Sequence, residues 1–390
     1  MTRVQTCCGP RKRVAAHGRP ASSSQPVPPS DASRGRREGD VPVGGELAGP
    51  VRFGVVGVDH PHSHGMVRGL REAGGHGVGV AGGDDSERRV AFRRDFPDIP
   101  EVNDPRRLYD DPRVDLIVTA GVPVERAKIA GEAMRAGKDV LADKPAATTP
   151  EQVAELRRVV AETGRIWAVY FGERFTSPAT TKAGALVASG AIGTVVQMIG
   201  LGPHRLRRAT RPAWFFERER CGGILADLAS HQIDQFLYLT GSTSAEIVSA
   251  DVGNYANPQD PELQDFGELV MRSPQAHGYV RVDWYTPDGL SSWGDGRIVI
   301  LGTEGYIELR KNVDVAGRPG GNHLFLVDAT GEHYVDCSDH PVTFYEDLLA
   351  DIRERTEMAN PQQMYFTTME LAIAAQLRAE ETASAGHITT

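Results

Sequence analysis

The sequence predicts an α/β region built on a doubly wound parallel sheet, followed by an α+β region with a mostly antiparallel open sheet. Three observations predict it. Between 51 and 172, short apolar runs alternate with helical segments, the pattern of βαβ units. Beyond 172 the rhythm changes to strands in which apolar and charged residues alternate, as in Val280-Arg-Val-Asp-Trp284, so one face is buried and one is polar. A chain of 390 residues, 40% hydrophobic and 24% charged, can bury large cores without disulfides or metals.

The first strand is read at 51–57, from Val51-Arg-Phe-Gly-Val-Val-Gly57, and a helix follows over 63–73. A second strand at 77–81 precedes a charged helix at 86–95. The run Val114-Asp-Leu-Ile-Val-Thr119 is bounded by turn residues and reads as a third strand. The helix at 124–136 places Val124, Ala127, Ala130 and Met134 near one face, and Gly137 ends it as a C-cap glycine. A strand at 139–142, a helix from Pro150 and a strand at 166–170 close the series. Residues 51–172 are thus expected to form one domain, with ligands bound beyond the carboxyl ends of its strands. In the second half, 173–390, helices are expected near 179–189 and 225–239. Strands are expected at 195–199, 280–284, 297–301, 306–310 and 324–327. Two amphipathic helices carry Tyr345, Leu348, Leu349 and Ile352, and then Phe366, Met369, Ile373 and Leu377.

The formal net charge of -9 is unevenly placed. Residues 1–50 carry eight Lys/Arg against four Asp/Glu, which leaves 35 against 48, or -13, for the rest. An acidic body argues against nucleic-acid binding. The first fifty residues, rich in Pro, Gly and Ser, read as a disordered N-terminal extension: a mis-assigned start, a solvated tail or a weak interaction arm. No run approaches eighteen apolar residues, so no membrane helix is expected. Cys7, Cys8, Cys221 and Cys337 form neither a disulfide framework nor a zinc pattern, and the expected location is cytoplasmic.

Three segments could carry chemistry. Asp143-Lys144-Pro145 follows the strand at 139–142, on the ligand side of the sheet; a lysine there reaches a bound small molecule, or is a plain surface loop residue. In Cys221-Gly-Gly-Ile-Leu-Ala-Asp227-Leu-Ala-Ser-His231-Gln-Ile-Asp234, three polar residues fall at i, i+4 and i+7 on one helical face. An imidazole beside carboxylates suits a general base; the alternative is a helix start with a stabilising acid and a solvated histidine. The first loop reads Gly57-Val-Asp59-His60-Pro-His62-Ser-His64-Gly65. A dinucleotide fingerprint would be GxGxxG; only its first glycine is present, with Asp59 and His62 in the other two places. The alternating histidines suggest metal ligands, but the later loops offer no histidine, so no metal is expected.

The order of these motifs, ending with Leu301-Gly-Thr-Glu-Gly-Tyr-Ile-Glu308, resembles the glucose–fructose oxidoreductase / inositol dehydrogenase / MocA (Gfo/Idh/MocA) family of NAD(P)-dependent oxidoreductases. The resemblance covers about 51–380. It implies a Rossmann dinucleotide-binding domain, a second domain for substrate binding and oligomerisation, and NAD or NADP as cofactor. It implies that Lys144, Asp227 and His231 form a catalytic trio. His231 would take the hydroxyl proton of a secondary alcohol as hydride leaves for the nicotinamide, Lys144 would hydrogen-bond that hydroxyl, and Asp227 would orient the substrate, a sugar, glycoside or cyclitol.

The chain departs from the family pattern at several points. Asp143 replaces the glutamate before the lysine. Arg126 is the nearest match to a histidine near the nicotinamide. The acid for the adenosine ribose is displaced to Asp84 in Ala81-Gly-Gly-Asp-Asp85. Asp59 faces the pyrophosphate or else caps the helix, with His60 or His62 on the phosphates. Gly57, Thr119 and Lys144, which the resemblance places between cofactor and substrate, complete the expected cofactor site. Arg174, His204, Arg205 and Asp234 fall where the family lines its substrate pocket. The family pairs subunits through the open sheet face, which implies a homodimer or homotetramer with the strand at 280–284 as candidate. Two alternatives share the fold: a redox-assisted glycoside lyase or hydrolase with a recycled cofactor, and a non-catalytic binding protein.

Overall fold

In the computed structural model, residues 49–83 and 86–386 are described. Five parallel strands form the first sheet: β1 (Arg52–Val56), β2 (His76–Ala81), β3 (Leu116–Thr119), β4 (Asp139–Asp143) and β5 (Trp167–Tyr170), in the order β2-β1-β3-β4-β5. The helices between them are α1 (His62–Glu72), α2 (Ser86–Asp95), α3 (Arg106–Tyr109), α4 (Pro123–Arg135) and α5 (Pro150–Thr163). β3, β4 and β5 are buried at every position, which is why they read as unbroken apolar runs rather than alternating ones. α5 is delimited by local chemistry. The Thr149 side chain accepts from the Gln152 N–H, Pro150 opens the first turn, and Gly164 closes the helix at φ 63°.

The chain then forms α6 (Gly172–Phe175), α7 (Pro178–Ala188), β6 (Val195–Pro203), α8 (Arg218–Cys221), a π-helical turn at Leu225–Ala229 and α9 (Ser230–Thr240). Seven more strands follow: β7 (Glu246–Gly253), β8 (Phe266–Arg272), β9 (His277–Asp283), β10 (Arg297–Gly302), β11 (Tyr306–Arg310), β12 (His323–Asp328) and β13 (Gly331–Asp336). With β6 they make an eight-stranded sheet in the order β13-β12-β11-β10-β6-β9-β8-β7, antiparallel except for the β6/β9 pair. In β9, Val280 and Val282 are fully buried. The alternate positions of the sheet face outward, leaving Val196, Leu301, Tyr306 and Tyr334 exposed.

Three strands, β7, β8 and β13, are additional to those expected from sequence. β7 and β13 are the two edges and bury almost nothing, so they carry no apolar alternation to read. The helix expected over 225–239 is interrupted by the π turn, whose wider winding no periodicity in side-chain type announces.

The closing helices, α10 (Phe344–Glu354) and α11 (Gln362–Gly386), return to the first sheet. Phe344, Leu348, Tyr365, Phe366 and Met369 share a core with β1 and β3–β5. β5 is the sheet edge, and the Gln362 amide covers it. Its Oε1 accepts from the Trp167 N–H at 3.0 Å and its Nε2 donates to the Trp167 carbonyl at 2.8 Å, so a side chain completes the strand ladder. Phe366 packs on the Trp167 ring at 4.7 Å between centroids, with the Arg157 guanidinium 4.3 Å from the Phe366 ring centre. Phe366→Ala is expected to lower the unfolding free energy by about 3–5 kcal/mol, measured by guanidinium denaturation. A loss below about 1 kcal/mol would show that α11 is peripheral to this core.

Candidate active site

The loops after β1 and β3 touch through glycine backbone. Gly57 has φ +78°, and a Cβ there would stand 2.7 Å from the Gly121 Cα; an L side chain fits neither the conformation nor the space. At the end of β2, Gly82 and Gly83 also take positive φ, and a Cβ on Gly83 would lie 3.4 Å from the Val58 N. Side-chain-free backbone at three strand ends leaves the concavity a dinucleotide needs, and these residues fit NAD or NADP. Asp59 is 2% exposed. Its Oδ2 lies 3.6 and 3.7 Å from where a Cβ on Gly57 or Gly121 would stand, and its charge acts on Arg126. α1 opens after Pro61, which supplies no side-chain cap. Thr119 is buried, with its hydroxyl 3.5 Å from the Gly121 N–H. Asp84 lies outside the described residues.

Beyond this crevice a cavity of about 590 Å³ opens, lined by His60, His62, Lys144, Asp227, His231, Glu173, His204, Arg205 and Lys311 among others. Lys144 at the end of β4 and Asp227 on the π turn are joined at 2.6 Å. Burial disfavours the Asp227 carboxylate, but the Lys144 ammonium outweighs it and holds the acid below its usual range. His231 is 2% exposed. Burial drives its pKa well down, against the opposing pull of Glu173, with Lys144 adding to the lowering. It is a neutral base at pH 7. The structure therefore brings Lys144, Asp227 and His231 to one cavity wall.

His204 and Arg205 line the same cavity. The His204 Nδ1 lies 3.0 Å from the Gly202 carbonyl, and burial lowers its pKa to about 4 despite Glu173. Arg205 is tied to the Pro287 and Leu290 carbonyls at 2.8 and 2.6 Å. Arg174 and Asp234 are a correction to the sequence reading. They form a two-bond ion pair with each other, 2.7 Å on each arm, buried and away from the cavity lining. Asp234 lies past the cleft along α9, so the polar face carries two cleft residues rather than three.

Sequence reasoning passed over Glu173 and Lys311. Glu173 pairs with Lys311 and receives the Gln232 amide at 3.1 Å. Burial opposes its charge, but the Lys311 ammonium beside it keeps it ionised. Its neighbour Arg174 matched the family pattern and drew the assignment one position too far. Trp284 and Trp293 supply aromatic lining; Trp284 was read only as a strand end.

Arg126 is 1% exposed and does not line the cavity. It ties α4 to two strand ends, donating to the Gly121 and Lys144 carbonyls at 2.8 and 2.5 Å, with its Nη2 3.2 Å from Asp143 Oδ2. His60 and His62 turn their Nδ1 atoms to the same carboxylate, at 2.9 and 2.8 Å, and both line the cavity. Burial disfavours the Asp143 charge, but His62, Arg126 and His60 hold it well below the usual carboxylate range.

Glycine-lined strand ends opening on a charged cavity are the construction of a dinucleotide-binding protein. Residues 51–171 match the oxidoreductase family model with an NAD-binding Rossmann fold, and residues 180–308 match the GFO/IDH/MocA C-terminal domain. The chain belongs to the GFO/IDH/MocA family. It is similar to a solved oxidoreductase candidate from Erwinia carotovora atroseptica SCRI1043, at 45% identity and a TM-score of 0.82 over 84% of this chain and 98% of that one. Levoglucosan dehydrogenase, solved with NADH and levoglucosan, shares the fold at a TM-score of 0.69 and 19% identity, over 85% of this chain and 98% of that one. The scyllo-inositol 2-dehydrogenase (NADP(+)) IolW of Bacillus subtilis (strain 168) is 28% identical over 189 residues, 48% of this chain and 50% of that protein. The match thus spans about half the length of that curated relative.

The buried neutral histidines make stability depend on pH. His204 and His231 have folded pKa values below the 6.5 they take when unfolded. Below pH 6.5 the unfolded chain therefore binds protons that the folded chain does not. Stability is expected to fall as pH drops from about 6.5 to about 4, by on the order of 2–3 kcal/mol for His204 alone. His204→Gln should flatten the midpoint-against-pH curve of thermal unfolding over that window. An unchanged slope would contradict burial of the neutral ring.

Proposed function

We propose that this protein is a nicotinamide-dependent dehydrogenase that interconverts a secondary alcohol of a sugar or cyclitol and the corresponding ketone. The observation that carries this reading is the 2.6 Å Lys144–Asp227 pair on the same cavity wall as His231, drawn from separate segments of the chain. Its relatives' names support the substrate class: one acts on scyllo-inositol with NADP(+) and one was solved with levoglucosan and NADH. Gly57, Gly82, Gly83 and Gly121 would receive the nucleotide backbone. When bound, the nicotinamide supplies a two-electron acceptor for the carbinol carbon.

In this reading the neutral His231 takes the hydroxyl proton at the ring nitrogen that faces the cavity. Lys144 donates to the same oxygen and steadies its developing negative charge. Asp227 fixes the ammonium in place. Glu173 and Lys311 bind the remaining hydroxyls, and Trp284 and Trp293 flank the ring. Free Cys221 and Cys337 support a reducing, cytoplasmic setting. Among the described residues no helix is long and apolar enough to cross a membrane. The exposed Val196, Leu301, Tyr306 and Tyr334 on the open sheet face support pairing of two copies.

The test is an absorbance screen at 340 nm of neutral sugars and cyclitols with NAD and NADP. At least one polyol should reduce one cofactor. Lys144→Ala and His231→Ala should each lower kcat at least 100-fold while leaving nucleotide affinity within about threefold. Near-normal turnover in either variant would remove that residue from the chemistry, and no reduction across the panel would overturn the substrate class.

A further inference from the structure

The alternating histidines of the first loop have no part in the alcohol chemistry, and their arrangement needs an account of its own. The His60 and His62 rings stand edge to face, 4.1 Å between centroids. Their Nδ1 atoms approach the two oxygens of one carboxylate, Asp143, at 2.9 and 2.8 Å. Asp143 is completely buried, while His60 and His62 are partly exposed and line the cavity.

Hydrogen bonding alone does not satisfy this cluster. Asp143 Oδ2 is buried without a hydrogen-bond partner, although His60 Nδ1 is 2.9 Å away and Arg126 Nη2 is 3.2 Å away. The His60 Nδ1 stands between the Asp143 Oδ2 at 2.9 Å and the His62 backbone N–H at 3.4 Å. The His60 and His62 nitrogens and both Asp143 oxygens thus converge, and a cation set among them would be drawn to all three residues.

We propose that His60 Nδ1, His62 Nδ1 and the Asp143 carboxylate form a binding site for a first-row divalent metal ion, in the range from Mn²⁺ to Zn²⁺. One ligand atom from each residue lies within 4.8 Å of the others. The 2.9 and 2.8 Å contacts run to different carboxylate oxygens. With metal–ligand bonds of about 2.1 Å, a carboxylate bound through both oxygens would set each imidazole at roughly 84–87° from one of them. That is the spacing of neighbouring positions in a two-histidine, one-carboxylate site, and both imidazoles line the cavity. Arg126, pinned by the Gly121 and Lys144 carbonyls, is the outer partner that fixes the carboxylate. Its charge also offsets that of Asp143, so the affinity is expected to be micromolar rather than picomolar. Sequence reasoning set a metal aside because later loops lack histidine; the third ligand is instead an acid, from the end of β4.

The test is isothermal titration of the chelator-treated full-length protein with ZnCl₂ and MnCl₂ alone, with Co²⁺ absorbance as a second readout. One ion per chain is expected, with a visible Co²⁺ band. His62→Ala should weaken binding at least 30-fold and abolish the band. His64→Ala, whose Nε2 faces Asp95 at 3.5 Å, should leave both unchanged. Unaltered thermal unfolding of His62→Ala without metal establishes that its fold is retained; if that variant proves unstable, His62→Gln and His60→Gln take its place. Absence of binding by all three ions overturns the site, as does binding that the loop variants leave intact. These readouts use neither nucleotide nor polyol, so they stand apart from the dehydrogenase reading.

Discussion

Two consecutive residues at the end of β4, Asp143 and Lys144, carry opposite charges into the protein interior, 0% and 3% exposed. A buried charge must be paired or it destabilises the fold by several kcal/mol. Neither residue can be satisfied by the other or by its own strand. Lys144 meets Asp227 from the π turn, while Asp143 meets Arg126 from α4, His60 from the loop before α1 and His62 from the start of α1. Three separate segments are thereby drawn to one strand end, where the cavity opens.

The chemistry proposed for the cavity follows from how those charges are held. The Lys144 ammonium depresses the Asp227 carboxylate, and burial empties His231 of its proton. An ionised acid, a fixed cation and a neutral base then coexist within one wall. A second buried pair, Glu173 with Lys311, lines the same cavity and adds hydrogen-bonding groups. With Arg205, Arg207 and Arg211 also on its lining, such a cavity suits a polar, hydroxyl-rich molecule better than an apolar one. The Arg174–Asp234 pair lies behind it, where it fixes α6 against α9.

Legibility from sequence tracked burial and periodicity. β3, β4 and β5 are enclosed on both faces, so their runs stood out, and Lys144, Asp227 and His231 sat in motifs with fixed spacing. Features that depend on a distant partner did not show. The apolar stripe of α11 is plain in Phe366, Met369 and Ile373, but nothing in it says that its partner is the first sheet. Gln362 is an ordinary polar residue until it completes the β5 ladder. Asp234 shares a helical period with His231 and yet pairs elsewhere, because periodicity assigns a face without saying what lies opposite it. Asp143 looked like a mild replacement for glutamate. Its shorter side chain in fact gathers His60, His62 and Arg126, none of which the spacing connects to it.

In the proposed reaction, an alcohol carbon held between Lys144 and His231 passes its hydride straight to a nicotinamide. Isotope transfer tests this step: a polyol that turns over is supplied with deuterium on the oxidised carbon, and the reduced nicotinamide is isolated and examined by mass spectrometry. Direct transfer predicts one deuterium per reduced cofactor, unchanged in H₂O or D₂O solvent. Reduced cofactor without the label, or label that exchanges with solvent, would contradict it.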